Sequence, residues 1–170
     1  MLFRSIQILL TPAGVLEVLK KLSSRLHVLN SFYVENNNVY FQLSDDVLNQ
    51  EIAFLKQNDI RRVITLTERH HQNDILSNHF STHHISIIDL GAPDLHQAKH
   101  LAEIITAATK NKERLAVHCL AGIGRTSTML IAAHILLGES FQDLEIRIAK
   151  QNPYFAFSGA QAEFLRSIKV

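Results

Sequence analysis

The chain contains a single cysteine, Cys119, and six positions later stands Arg125. Between them lie Leu120, Ala121, Gly122, Ile123 and Gly124; His118 precedes the cysteine and Thr126 follows the arginine. A planar guanidinium can grip two oxygens of a phosphate. Backbone N–H groups of a loop wound into a helix start make an anion-sized hollow of partial positive charge, and Gly122 and Gly124 allow the close backbone approach that such a hollow needs. The helix end and the guanidinium both favour a thiolate at Cys119. A sulfur nucleophile beneath a bound phosphate is suited to phosphoryl transfer through a cysteinyl-phosphate. A lone strand-end cysteine is more often inert core, so the reading rests on the whole spaced set and not on the thiol alone.

The flanking residues predict the frame that such a loop requires. Leu115-Ala116-Val117 reads as a buried strand, and Met129 to Leu137 as a buried helix closed by Gly138. Upstream, a helix is predicted over 12–25, a hairpin over 31–41 around a polar Glu-Asn-Asn-Asn turn, and a helix over 45–57. Strands are predicted over 62–67 and 85–88, with a helix from Pro93 and Asp94 to about Lys110. Two further helices, over 140–151 and 159–168, close the chain on either side of Asn152-Pro153. Helices alternating with buried strands predict an α/β fold: a central, mostly parallel sheet of four to five strands flanked by helices, with a helical extension over 1–30 and the main domain over 31–170. The cysteine loop would then lie at a strand's carboxyl end, where ligands gather in such sheets.

Composition narrows the classes. A chain of 170 residues, 46% hydrophobic and 19% charged, suits one globular domain. A net charge of +1 without a basic cluster leaves no nucleic-acid footprint. No apolar run approaches a membrane span, so stable membrane insertion is not expected. One cysteine precludes an internal disulfide and suits a reducing, cytoplasmic compartment; export as an effector is also compatible with it. His70, His71, His79, His83 and His84 cluster in sequence, but no pair has the spacing of a structural metal site and no second cysteine assists. His96, His100 and Glu103 read as one solvated helix face. Neither metal nor cofactor is expected, and a monomer is.

His-Cys-x-x-Gly-x-x-Arg-Thr over 118–126 resembles the signature loop of the cysteine-dependent protein tyrosine phosphatases, and the chain from about residue 30 onward resembles their small, atypical dual-specificity members. Asn58 to Arg69 is similar to the first core strand of that family and the loop after it. The resemblance implies Cys119 as nucleophile, Arg125 with the amides of residues 120–125 as the phosphate cradle, and a carboxylic acid on a separate loop. Asp89, thirty positions before Cys119, stands about where the family carries its acid, although Ile88 replaces the usual proline before it; Asp94 is the rival. Thr126 can donate to the departing sulfur, or serve only as a cap. His118 is implied to shape the loop by hydrogen bonding. Gln161 is similar to a late glutamine that orients attacking water, the alternative being a surface helix residue. The implied substrate is a phosphorylated protein, bearing phosphotyrosine and, in a shallow cleft, phosphoserine or phosphothreonine. A phosphoinositide or other non-protein phosphomonoester, a phosphate-binding module without turnover, and sulfur transfer by a rhodanese-like loop are the alternative functions.

Overall fold

The computed structural model describes residues 7–10, 16–19, 31–35, 38–42, 45–69, 73–119, 123–151 and 156–169. Its main sheet has five strands in the order β2-β1-β7-β5-β6, with β1 at Gln7–Leu10, β2 at Leu16–Leu19, β5 at Ile60–Thr65, β6 at Ser81–His84 and β7 at Arg114–His118. β5 runs parallel to both β6 and β7, whereas β1 pairs antiparallel with β7 and β2 antiparallel with β1. A separate hairpin pairs β3 (Ser31–Glu35) with β4 (Asn38–Gln42), as the polar turn predicts.

The helical extension expected at the N-terminus needs correction. Leu16–Leu19 is strand, paired with β1 in the register Leu10↔Leu16 to Gln7↔Leu19; positions 12–15 and 20–25 of the expected helix lie outside the described residues. Apolar residues at 16, 18 and 19 fit either period, and the edge of β1 supplies the backbone partners that select the strand. The strand expected over 85–88 also shifts: β6 ends at His84, and the chain beyond it keeps two bonds to the end of β5, from Ile85 N to Thr65 O (3.0 Å) and from Ile87 N to Leu66 O (3.1 Å).

Helices cover both faces of the central strands, which explains their nearly continuous apolar sequences. α1 (Asp45–Gln57) lays Leu48, Ile52 and Leu55 on one face, with Val63 and Ala116. On the other face Ile64, Leu115 and Val117 meet α3 (Leu95–Lys110) and α4 (Arg125–Leu136). Alternate residues of β7 thus serve alternate cores. Between β5 and β6 the chain forms a short helix, α2 (Asn73–Ser77), that the sequence reading does not contain. α4 is buried from Arg125 to Ile135 and packs against α3, α5 (Phe141–Gln151) and α6 (Gly159–Ser167). An all-buried helix of this kind is a core element with no solvent face. It ends as predicted at Gly138, whose φ of +94° lets the chain turn out while Glu139 N bonds back to His134 O (3.0 Å).

That exit carries a buried histidine paired with a half-buried glutamate. His134 Nδ1 meets Glu139 Oε1, and Arg147 of α5 meets the other Glu139 oxygen. Burial lowers the affinity of His134 for a proton, Glu139 partly offsets this, and Arg147 adds to it, so the imidazole titrates below its ordinary 6.5. The unfolded chain therefore binds the proton more readily than the fold, and stability present above about pH 6.5 falls as the pH drops through that value. Thermal melts should show a lower midpoint at about pH 5.5 than at about pH 7.5. His134→Gln should narrow that difference, and an unchanged difference would assign it to other groups.

Candidate active site

Three loops leave the carboxyl ends of the parallel strands and converge. Chain order sends β5 to β6 on one side while β7 returns on the other, so the crevice lies where neighbouring connections diverge. Cys119 follows β7 directly and is buried. His118, the last residue of β7, pairs in register with Thr65 of β5, and His118 Nε2 is hydrogen-bonded to Thr65 Oγ1 at 2.8 Å. Leu66 N donates to His118 O at 2.8 Å, which ties the strand end to its neighbour. Leu120, Ala121 and Gly122 lie outside the described residues. Ile123 and Gly124 lead into α4, whose N-cap is Gly124 with no side-chain cap on the first turn. Thr126 is fully buried in that turn, and its Oγ1 has no hydrogen-bond partner among the described residues.

Arg125 opens α4 with its side chain almost wholly enclosed. Nη1 donates to Glu68 Oε2 (2.9 Å) and to Ile87 O (3.0 Å), and Nη2 forms an ion pair with Asp89 Oδ1 (2.9 Å). Glu68 also accepts the Asp89 backbone N–H on its other oxygen, at 2.6 Å. One carboxylate thus joins the loop after β5, the loop after β6 and the start of α4. Partial burial pushes the Glu68 pKa up, but the N–H groups of Glu68 and Asp89 and the Arg125 guanidinium outweigh it and hold the carboxyl below its ordinary 4.5. The bridge is therefore fully formed above that ordinary value, and its contribution is lost as the pH falls through the lowered one.

Asp89 and Asp94, rivals in the sequence, are placed differently. Asp89 sits in a tight turn closed by Gly91 N to Ile88 O (2.8 Å), followed by Leu90 at φ +60°. A leucine in the left-handed region is held there at a cost of about 1–2 kcal/mol. Asp94 is the N-cap of α3: its side chain accepts from Gln97 N (2.7 Å), and Asp94 N donates to Gln97 Oε1 (2.8 Å). Gln161 is buried beside Gly124, where a Cβ would meet Gln161 Oε1 at 2.8 Å. Both ends of its amide are engaged: Oε1 accepts from Ser158 N (3.0 Å) and Nε2 donates to Gly91 O (2.9 Å).

Glu68 and Ser158 do not emerge from the sequence reading. The available signal for Glu68 was its position just past a buried strand, where a parallel sheet collects its functional loops. The histidines disperse: His79 Nδ1 meets Lys56 Nζ (3.0 Å), His84 Nε2 meets Thr67 O (2.7 Å), and the His83 ring lies edge-on to His100. His70 and His71 lie outside the described residues. Among the described residues, no three histidine, cysteine or carboxylate groups are placed to hold a metal, and no helix is long and apolar enough to cross a membrane.

Residues 42–139, more than half of the chain, match the family model described as Tc-R-P, polymorphic toxin system, DSP-PTPase phosphatase. The chain belongs to this phosphatase family. It is also similar to cyclin-dependent kinase inhibitor 3 of Sus scrofa, at 36% identity over 76 residues, which are 45% of this chain and 32% of that protein. The Homo sapiens protein of the same name is 39% identical over 56 residues, 33% of this chain and 26% of that one. The matched stretch therefore spans a third or less of these curated relatives. Among solved structures the fold resembles Tk-PTP in its active form, with a TM-score of 0.61 at 20% identity over 75% of this chain and 88% of that one. It also resembles PTPMT1 in complex with PI(5)P, with a TM-score of 0.60 at 21% identity over 69% and 81% of the two chains. A kinase-associated phosphatase bearing a serine in place of its catalytic-site cysteine aligns over 97% of this chain and 93% of its own, with a TM-score of 0.62 at 16% identity.

Glu68→Gln should leave the circular dichroism spectrum intact and lower turnover of an aryl phosphate by roughly tenfold, because Arg125 loses its charged partner and the Asp89 loop a tether. Turnover equal to that of the parent protein would mean that the remaining contacts suffice to orient the guanidinium.

Proposed function

We propose that this protein is a cysteine-dependent phosphatase acting on phosphorylated proteins. The observation that carries the reading is the 2.9 Å contact of Asp89 Oδ1 with Arg125 Nη2, which sets a loop carboxylate beside the guanidinium that follows Cys119. In the proposed reaction Cys119 Sγ attacks phosphorus, and the amides of residues 120–125 with Arg125 hold the equatorial oxygens. The phosphate takes over the guanidinium edge now on Asp89, while Glu68 keeps Nη1 in place. Asp89, displaced from the guanidinium and having taken a proton from solvent, gives that proton to the leaving oxygen as the P–O bond breaks. Water then attacks the cysteinyl-phosphate, Asp89 accepts its proton, and the sulfur departs with a hydrogen bond from the Thr126 hydroxyl. His118, bonded to Thr65, holds the strand end beneath the thiol. None of these roles calls for a metal.

Asp94 is the weaker candidate for the acid, because the cap of α3 already engages its side chain. The catalytic unit proposed over 31–170 contains the matched stretch 42–139. Membership of a toxin-system family supports export as an effector. The variable positions Leu120, Ala121, Ile123 and Gly124 bring no cation to the cradle, which favours a phosphoprotein over a multiply charged lipid head group. The likeness to a structure holding PI(5)P makes the lipid the competing substrate.

Cys119→Ser should abolish turnover of 4-nitrophenyl phosphate, and residual activity at the parent level would overturn the mechanism. On phenyl phosphate, whose leaving group needs a proton, Asp89→Asn should lower kcat by about 100-fold and remove the alkaline limb of a bell-shaped pH profile, whereas Asp94→Asn should act mainly on stability; the reverse result transfers the role to Asp94. Across a panel of phosphotyrosyl and phosphothreonyl peptides and a phosphoinositide, kcat/KM should be highest for a peptide. A preference for the lipid would overturn the substrate assignment alone.

A further inference from the structure

We infer that the N-terminus of α6 is a latch that sets where Asp89 stands, with Ser158 and Gln161 as its positioning residues; the inference rests on the acid role proposed for Asp89. Ser158 Oγ donates to Leu90 O at 2.7 Å, and Gln161 Nε2 donates to Gly91 O at 2.9 Å. These carbonyls belong to the two residues that follow Asp89. The donors come from the start of α6, about seventy positions further along the chain, and they hold the strained segment of the turn, where Leu90 has φ +60°. Gly91 leaves the turn little slack, because a Cβ there would approach Ile88 O to 2.9 Å. The buried Gln161 amide also abuts Gly124 at the start of α4, so one side chain touches both the acid turn and the phosphate loop.

The same two residues form the capping box of α6, and the two duties use different atoms. In the cap, Ser158 Oγ accepts from Gln161 N (3.2 Å) and Gln161 Oε1 accepts from Ser158 N (3.0 Å). In the latch, the Ser158 hydroxyl hydrogen and the Gln161 Nε2 hydrogen are the donors. Acceptors make the cap, and donors hold the acid turn. Without the donors, Leu90 is free to leave the left-handed region and the Asp89 carboxyl drifts from the guanidinium edge. This assigns Gln161 a hold on the acid loop in place of the water-orienting duty expected of it.

Chemistry separates the two duties. Ser158→Asp and Gln161→Glu keep good capping acceptors and remove the donors, whereas Ser158→Thr keeps both. Each variant is assayed with phenyl phosphate, whose leaving group needs a proton, and with 4-nitrophenyl phosphate, whose leaving group scarcely does. Thermal melts and circular dichroism run in parallel. Ser158→Asp should melt close to the parent protein and Gln161→Glu below it, because it buries a carboxylate; each should lose roughly tenfold or more in kcat/KM on phenyl phosphate and only about twofold on 4-nitrophenyl phosphate, with Ser158→Thr near the parent on both. An equal loss on the two substrates, which added negative charge near the phosphate would produce, overturns the latch, as does no loss on either. Asp89→Asn on the same pair is the reference. If it changes the substrate ratio and the latch variants do not, the latch alone fails; if it leaves the ratio unchanged, the acid assignment fails and the latch with it.

Discussion

A guanidinium buried at the start of a core helix is the constraint on which the rest of the site depends. Arg125 is almost entirely enclosed, and a buried charge must be paired and hydrogen-bonded to be tolerated. Its partners come from elsewhere in the chain: Glu68 after β5, and Ile87 O and Asp89 after β6. Satisfying one cation therefore brings three loops to one point. The partners differ in kind. Glu68 is tied twice, to the guanidinium and to the Asp89 N–H, whereas among the described residues no second bond to the Asp89 carboxylate is seen and its side chain is 63% exposed. Exposure screens that pair. In the proposed reaction an incoming phosphate replaces Asp89 on Nη2 without disturbing the contacts that orient Nη1.

The fold makes this possible through the direction of its strands. β5, β6 and β7 run parallel, so the segments that leave them all emerge at one edge of the sheet. The additional strands β1 and β2 lie beyond β7 and extend the sheet away from the Glu68 and Asp89 loops. α4, buried along nearly its whole length, points an N-terminus without a side-chain cap at that edge, which leaves its first amides for an anion. α6 adds a second layer of control, since its capping box doubles as a brace for the turn that carries Asp89.

Local patterns were legible where the chemistry is local. α3, α4, α5 and α6 follow from apolar spacing, Pro93-Asp94 and Gly138 close to their observed limits, since caps and stop signals act within one turn. Leu16–Leu19 was misread because its four residues satisfy two periods, and only the hydrogen bonds to β1 separate them. The strand near residue 85 was placed several residues late because Ile85 and Ile87 are the buried residues there, while the paired segment itself carries Ser81, Thr82, His83 and His84.

The phosphate-binding loop proposed for the cysteine, the arginine and the glycines between them rests on their spacing, which is a property of one continuous segment. Which carboxylate answers that loop is not such a property. Asp89 and Asp94 are five positions apart and alike as residues, and they are separated only when a helix cap engages one and a buried guanidinium the other. Glu68 and Ser158 acquire their contacts across 57 and 68 positions of chain. Hydrogen bonds and ion pairs between distant segments exist only once the sheet and its helices have brought those segments together, so tertiary structure alone decided them.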